Sequence, residues 1–307
     1  MTGVLLGFFV IGVMIAVGFV TGRLGVLGEH GRTVLARLVF FVLSPFLLFT
    51  VLAEADVNLL FSSLLAVSVI AAFACFLIYG LVSSLIWRRS ATQTVVGSLA
   101  SGYVNANNIG IPVSLYVLGN AAYSAPLLLL QLLVITPVAL GILDASSSGS
   151  RSVGKVLLRM LTNPMIVGSA LGVLLSAIGV QLPDAVMEPF RLIGAAAIPV
   201  MLVSFGMSLS GSRLLAPGTG RRDVLLAVTL KLTIMPLIAW AAGRFWFGLD
   251  GQELFVVTVL AALPAAQNVF NYAQRYERGE IVARDAVLLT TIGSVPALLL
   301  VAALLAP

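Results

Sequence analysis

Very little in this sequence is suited to water. Charged residues make up 9% of the 307, where a soluble domain carries about 25%. There is one cysteine, Cys75, and one histidine, His30. A single thiol excludes an internal disulfide and any cysteine-based metal site. The histidine lies in a polar loop, so no metal centre and no cofactor is expected. The twelve acidic residues fall in polar stretches or at the margins of apolar ones. With no carboxylate or histidine at mid-membrane depth, a proton relay of such groups is not expected. His-Glu-x-x-His, Gly-x-Ser-x-Gly and a glycine-rich phosphate loop with lysine are all missing. Serines and threonines are plentiful but have no base beside them, so the chain does not read as an enzyme. The net charge of +5 sits in short loops, which points to membrane topology rather than to nucleic acid.

What the sequence does have is long apolar runs. Hydrophobic residues make up 60% of it. The runs are continuous and about 20 residues long, enough for a helix to cross ~30 Å of hydrocarbon. Continuous rather than alternating hydrophobicity favours helices over a barrel. The reading is all-α and integral to the membrane, with ten spans near 3–22, 34–53, 61–86, 92–118, 122–143, 156–179, 189–211, 224–247, 254–274 and 282–306. The first run lacks a basic flank before it and reads as a span, not a cleavable signal. The serine-rich stretch 144–155 reads as a cytoplasmic linker between a first unit, 1–143, and a second, 156–307. Odd-numbered loops hold 14 Lys and Arg and even-numbered loops hold two, Arg191 and Arg244. Positive residues favour the cytoplasm, so both termini are expected outside.

The two units carry matching prolines. Pro45 pairs with Pro199, Pro112 with Pro264 and Pro137 with Pro296, at offsets of 154, 152 and 159 (199 − 45, 264 − 112, 296 − 137). Matching order and spacing suggest a duplicated five-helix unit. Five is odd, so the second copy must run inverted, a recurrent construction in secondary transporters. Span 4 contains Asn105, Asn107, Asn108, Gly110 and Pro112, and span 9 contains Pro264, Gln267, Asn268 and Asn271. Such residues make poor helix. Broken backbone survives at that depth only when surrounded by protein or by a watery cavity. Two breaks in corresponding places point to a substrate site, where helix ends and neutral amides can hold an anion. Lys231 is the one charge well inside a span; it either snorkels to the interface or faces inward toward an anion.

At these residues the sequence resembles the auxin efflux carrier family in its short prokaryotic form. The resemblance rests on Asn105 with Gly110-Ile111-Pro112 and Leu118-Gly119, and on Asn163-Pro164 with Gly179 and Leu182-Pro183. It continues through Ile198-Pro199 with Gly206, Lys231-Leu232 before Pro236, and Pro264 with Asn268 and Ala273. It implies two inverted five-helix repeats, with spans 1, 2, 6 and 7 as scaffold and the rest as a moving transport body. Spans 4 and 9 would cross at Pro112 and Pro264, making Asn105, Asn107, Asn108, Gln267, Asn268 and Asn271, with Lys231, candidate substrate contacts. The implied function is secondary transport of a small organic anion, an auxin-like or malonate-like carboxylate, by a multi-pass homodimer in a bacterial inner membrane. Alternatives are a sodium-coupled symporter of the bile-acid type, an open channel and, ranked lower, a non-transporting membrane sensor.

Overall fold

The computed structural model describes residues 2–28, 30–55, 62–147, 162–210 and 220–307. Among them there is helix and no strand, apart from one isolated bridge. In chain order the helices are α1 (Thr2–Arg23), α2 (Gly31–Ala53), α3 (Ser63–Ile86), α4 (Ala91–Gly102), α5 (106–116) and α6 (121–147). The second half follows with α7 (Pro164–Ala177), α8 (Asp184–Leu209), α9 (Arg221–Trp246), α10 (Gly251–Ala262), α11 (Asn268–Arg275) and α12 (Glu280–Leu305). Six of these are long and apolar enough to cross a membrane: α2, α3, α8, α9, α12 and Ala121–Leu143 of α6. Many large apolar side chains face outward along them, among them Leu85, Phe245, Trp246 and Leu304, each at least 70% exposed. Only lipid can cover that much apolar surface, so the chain is a multi-pass membrane protein.

Several expected boundaries move. The helix expected to end at 143 continues to Ser147, and the remainder of the 144–155 linker lies outside the described residues. α8 begins at Asp184, five residues before the expected 189; Pro183 precedes it, and the acidic Asp184 in its first turn suits the positive end of the helix. α7 opens at Pro164, where the Asn163 side chain accepts from the Met165 amide, as N-terminal asparagine and proline favour.

Proline also accounts for four of the six widened turns among the described residues. Pro45, Pro112, Pro137 and Pro236 each stand two residues beyond a π-helical turn, at Val39–Leu43, Ala106–Gly110, Gln131–Ile135 and Leu230–Ile234. A proline ring clashes with the carbonyl one turn earlier and offers it no donor. Opening that turn to the wider spacing relieves the clash without breaking the helix.

The helices sort into two packed groups. α1 lies along α8, and α2 lies along α7 and α8. α3, α4, α6, α9, α10, α11 and α12 pack mainly on one another, and α5 touches both groups. The first group is pulled tight by glycine. A Cβ at Gly18 of α1 would clash with the Val203 carbonyl oxygen of α8, and one at Gly172 of α7 would stand 2.5 Å from the Phe49 carbonyl oxygen of α2. Both partners are 154 residues apart (172 − 18, 203 − 49). Small residues at such crossings let backbones approach and gain dispersion contact, which drives association in lipid.

The second group shows its own matching. Arg89 N donates to Ser83 O and Leu249 N to Gly243 O, with positive φ at Arg88 and Gly248 between them. The helices that follow, α4 and α10, are offset by 160 (251 − 91) and are equally long. This group is also tied at its surface. The Arg89 guanidinium forks onto Asp223 at 2.7 and 3.3 Å, and Tyr79 donates to the same carboxylate. The Asp223 carboxylate holds the Arg89 guanidinium above its ordinary pKa, and the pair fixes the α3–α4 turn to the start of α9.

Candidate functional site

Both interruptions foreseen in the sequence are present, and they repair each other. α4 ends at Gly102 and α10 at Ala262, leaving short extended segments. The two segments meet antiparallel, Val104 against Ala265. Asn105 N donates to Pro264 O at 2.9 Å and Ala266 N donates to Tyr103 O at 3.0 Å. Unpaired backbone groups at this depth would each cost several kcal/mol, so the crossing satisfies by pairing what each helix lost by stopping. Thr290 on α12 completes the repair: its hydroxyl accepts from Ala265 N at 3.1 Å and donates to Ala286 O.

The crossing point differs from the expected one. Pro264 is part of the bridge, but Pro112 is not. The first chain unwinds only over 103–105, and Pro112 lies within α5, beyond a wide helical turn. Pro112 shapes that turn from its far side. Asn107 and Asn108 therefore sit in helix rather than in unwound chain.

A cavity of about 560 Å³ opens from this crossing. Asn105, Asn107, Asn108, Gln267, Asn268 and Asn271 all line it; Pro112, Pro264 and Lys231 do not. Three of the lining amides have a buried atom without a hydrogen-bond partner: Asn105 Nδ2, Asn107 Oδ1 and Gln131 Nε2. Asn105, 3% exposed, uses Oδ1 to accept from Asn108 N at 3.1 Å, which fixes its amide and leaves Nδ2 as an unused donor. Gln131 on α6, 2% exposed, likewise has a buried Nε2 without a partner. Buried polar groups are nearly always satisfied, so two unused donors and one unused acceptor beside the cavity mark it as a place for a polar ligand. Tyr103 adds a hydroxyl 2.8 Å from that of Thr136, among Tyr272 and Asn268. α5 and α11 both begin here, so two positive helix ends face the same space.

Lys231 has a different place. It is fully buried, so it does not snorkel. Its ammonium donates to Ala261 O at 2.7 Å and approaches Met235 Sδ at 3.2 Å. Ala261 O would ordinarily accept from residue 265, whose amide is taken by Thr290. Lys231 thus supports the second break from behind.

Sequence reasoning missed Gln131, Tyr103, Thr290, Gln274, Arg32 and Arg37, of which all but Thr290 line the cavity. Two of them left a signal. Gln131 is the one amide in the apolar run 121–147, and Gln274 extends the spacing of Gln267 and Asn271 by one more helical step. The arginines were read only as topology markers.

Two helices broken midway along their length, paired by backbone and opening into a polar cavity inside an apolar helical body, point to a membrane transport protein. Comparison with known families agrees. The chain belongs to the membrane transport protein family, whose profile matches residues 6–153 and 145–302, and this is the auxin efflux carrier family that the motifs resemble. It is 27% identical over 262 residues to an uncharacterized transporter of Methanothermobacter thermautotrophicus, covering 83% of this chain and 82% of that one. It is 23% identical to a protein of Rhizobium meliloti provisionally named a malonate transporter, over 96% of this chain and 92% of that one. An uncharacterized transporter of Methanocaldococcus jannaschii is 22% identical over 91% of each chain.

Proposed function

We propose that the protein is a secondary carrier that moves a small organic anion across the membrane by alternating access at the α4–α5/α10–α11 crossing. The observation that carries this reading is the cluster of neutral amides at the crossing, Asn105, Asn107, Asn108, Gln267, Asn268 and Asn271, in a cavity that no carboxylate lines among the described residues. Donors, helix N-termini and no fixed negative charge suit a carboxylate and repel nothing about it. The name of the Rhizobium meliloti relative is consistent with a malonate-like substrate.

The architecture supports the same reading. The glycine contacts offset by 154 and the hydrogen bonds offset by 160 are what two five-helix units would leave, and an odd number of spans per unit inverts the second. α1, α2, α7 and α8 then form the scaffold. The remaining helices form a body that carries the crossing past it, with α5 as the main contact across the boundary. The arginine distribution favours both termini outside, and an all-helical body of apolar spans suits a bacterial inner membrane.

The test is uptake of labelled malonate, acetate and indole-3-acetate into proteoliposomes. Saturable flux of at least one, cut tenfold or more by Asn268→Ala and unchanged when choline replaces sodium, is expected. Flux that requires sodium would favour the symporter alternative. Flux of none, or flux indifferent to Asn268→Ala, would remove the proposal.

A further inference from the structure

The cavity has two unlike walls. From the crossing outward, α11 presents Gln267, Asn271 and Gln274 in one stripe at spacings of four and three. The facing wall is the first two turns of α2, which bring Arg32 and Arg37 into the lining. These are the only charged residues there, both are exposed, and among the described residues neither forms an ion pair. Among the described residues, the cavity mouth therefore carries two positive charges without an ion-pair partner. They stand on a helix that packs with α1, α7 and α8, whereas the amides stand on the other packed group.

We propose that Arg32 and Arg37 form an outer anion site, separate from the crossing, that draws small carboxylates into the cavity from the side where α2 begins. This rests on the carrier reading for its use, but not for its existence. A charged, low-dielectric cleft concentrates counter-ions and raises their rate of arrival. Because the site belongs to the group that holds α2, an anion carried on the amides would leave the guanidiniums behind when the crossing moves. The arginines then act on one side of the membrane alone. They lower the apparent KM for anions arriving from that side and leave the opposite face unaffected.

The potential can be read without any substrate. In a Cys75→Ser background, Ser204→Cys places one thiol on the cavity lining. The probes are the anionic and cationic methanethiosulfonates, MTSES and MTSET, and the readout is the ratio of their labelling rates. At low ionic strength, each unit charge about 10 Å away should shift that ratio about fourfold. Arg32→Gln with Arg37→Gln is expected to lower the MTSES/MTSET ratio by tenfold or more. Arg32→Lys with Arg37→Lys should keep it, and 0.5 M salt should compress the difference. A ratio unchanged by the glutamine pair, or one lost equally in the lysine pair, would overturn the outer site. In the labelled-carboxylate assay, complete absence of flux with the ratio shift intact would instead count against the carrier reading alone.

Discussion

At the residue scale, the site depends on what single side chains leave undone. Asn105 has two unlike ends: its Oδ1 caps the amide of Asn108 while its Nδ2 is buried beside the cavity without a partner. Asn105→Asp separates the two. A carboxylate still caps, and an anionic cap at a helix N-terminus is favourable, but the donor is replaced by negative charge. Transport should fall at least tenfold with little loss of melting temperature. A variant that melted early and kept its flux when folded would show a structural amide only. Lys231 is the converse case. Its ammonium satisfies Ala261 O, and Lys231→Met leaves that buried carbonyl bare, a loss of about 1–3 kcal/mol. The expected signature is a lower melting temperature with an unchanged KM for whichever anion is carried. The asparagines could be read from the sequence because six amides clustered at two matching breaks are more than interhelical hydrogen bonding needs. Gln131 and the two arginines were harder to read, because their meaning depends on which helix faces which.

At the scale of elements, the prolines were legible as breaks but not as to where the break falls. Pro264 stands in the bridge, whereas Pro112 acts two residues after a widened turn and leaves the unwinding to 103–105. A proline disfavours helix on its N-terminal side, and either a π turn or an extended segment answers that demand. Tertiary pairing with Ala265 decides between them. The glycine crossings make a sharper test. Gly18→Ala and Gly172→Ala each force a methyl group against a neighbouring carbonyl oxygen. Overpacking of this kind costs about 1–3 kcal/mol, and both should lower the melting temperature by similar amounts. Gly12→Ala, in the same helix as Gly18 but with nothing within 4 Å of the added carbon, should leave it unchanged or raise it slightly. Unequal losses at 18 and 172 would argue that the two contacts are not equivalent.

At the scale of the molecule, composition alone settled the solvent, and the helical class followed from it. Which helices group together was not readable, because lipid-facing and partner-facing surfaces are equally apolar. The grouping came from small residues whose role shows only in close approach. It gives the carrier reading a physical form: one group holds the arginines, the other holds the amides and the paired breaks, and the cavity lies between them. On that account the crossing must meet each side of the membrane in turn, while the α2 end of the cavity meets one side only. The most direct measurement is the sidedness of thiol labelling in oriented vesicles, with Cys75→Ser combined with Asn268→Cys or with Gln274→Cys. Asn268→Cys should be labelled by membrane-impermeant MTSES from both sides, and Gln274→Cys from the arginine-rich side alone. Labelling of Asn268→Cys from a single side under all conditions would contradict alternating access at this crossing.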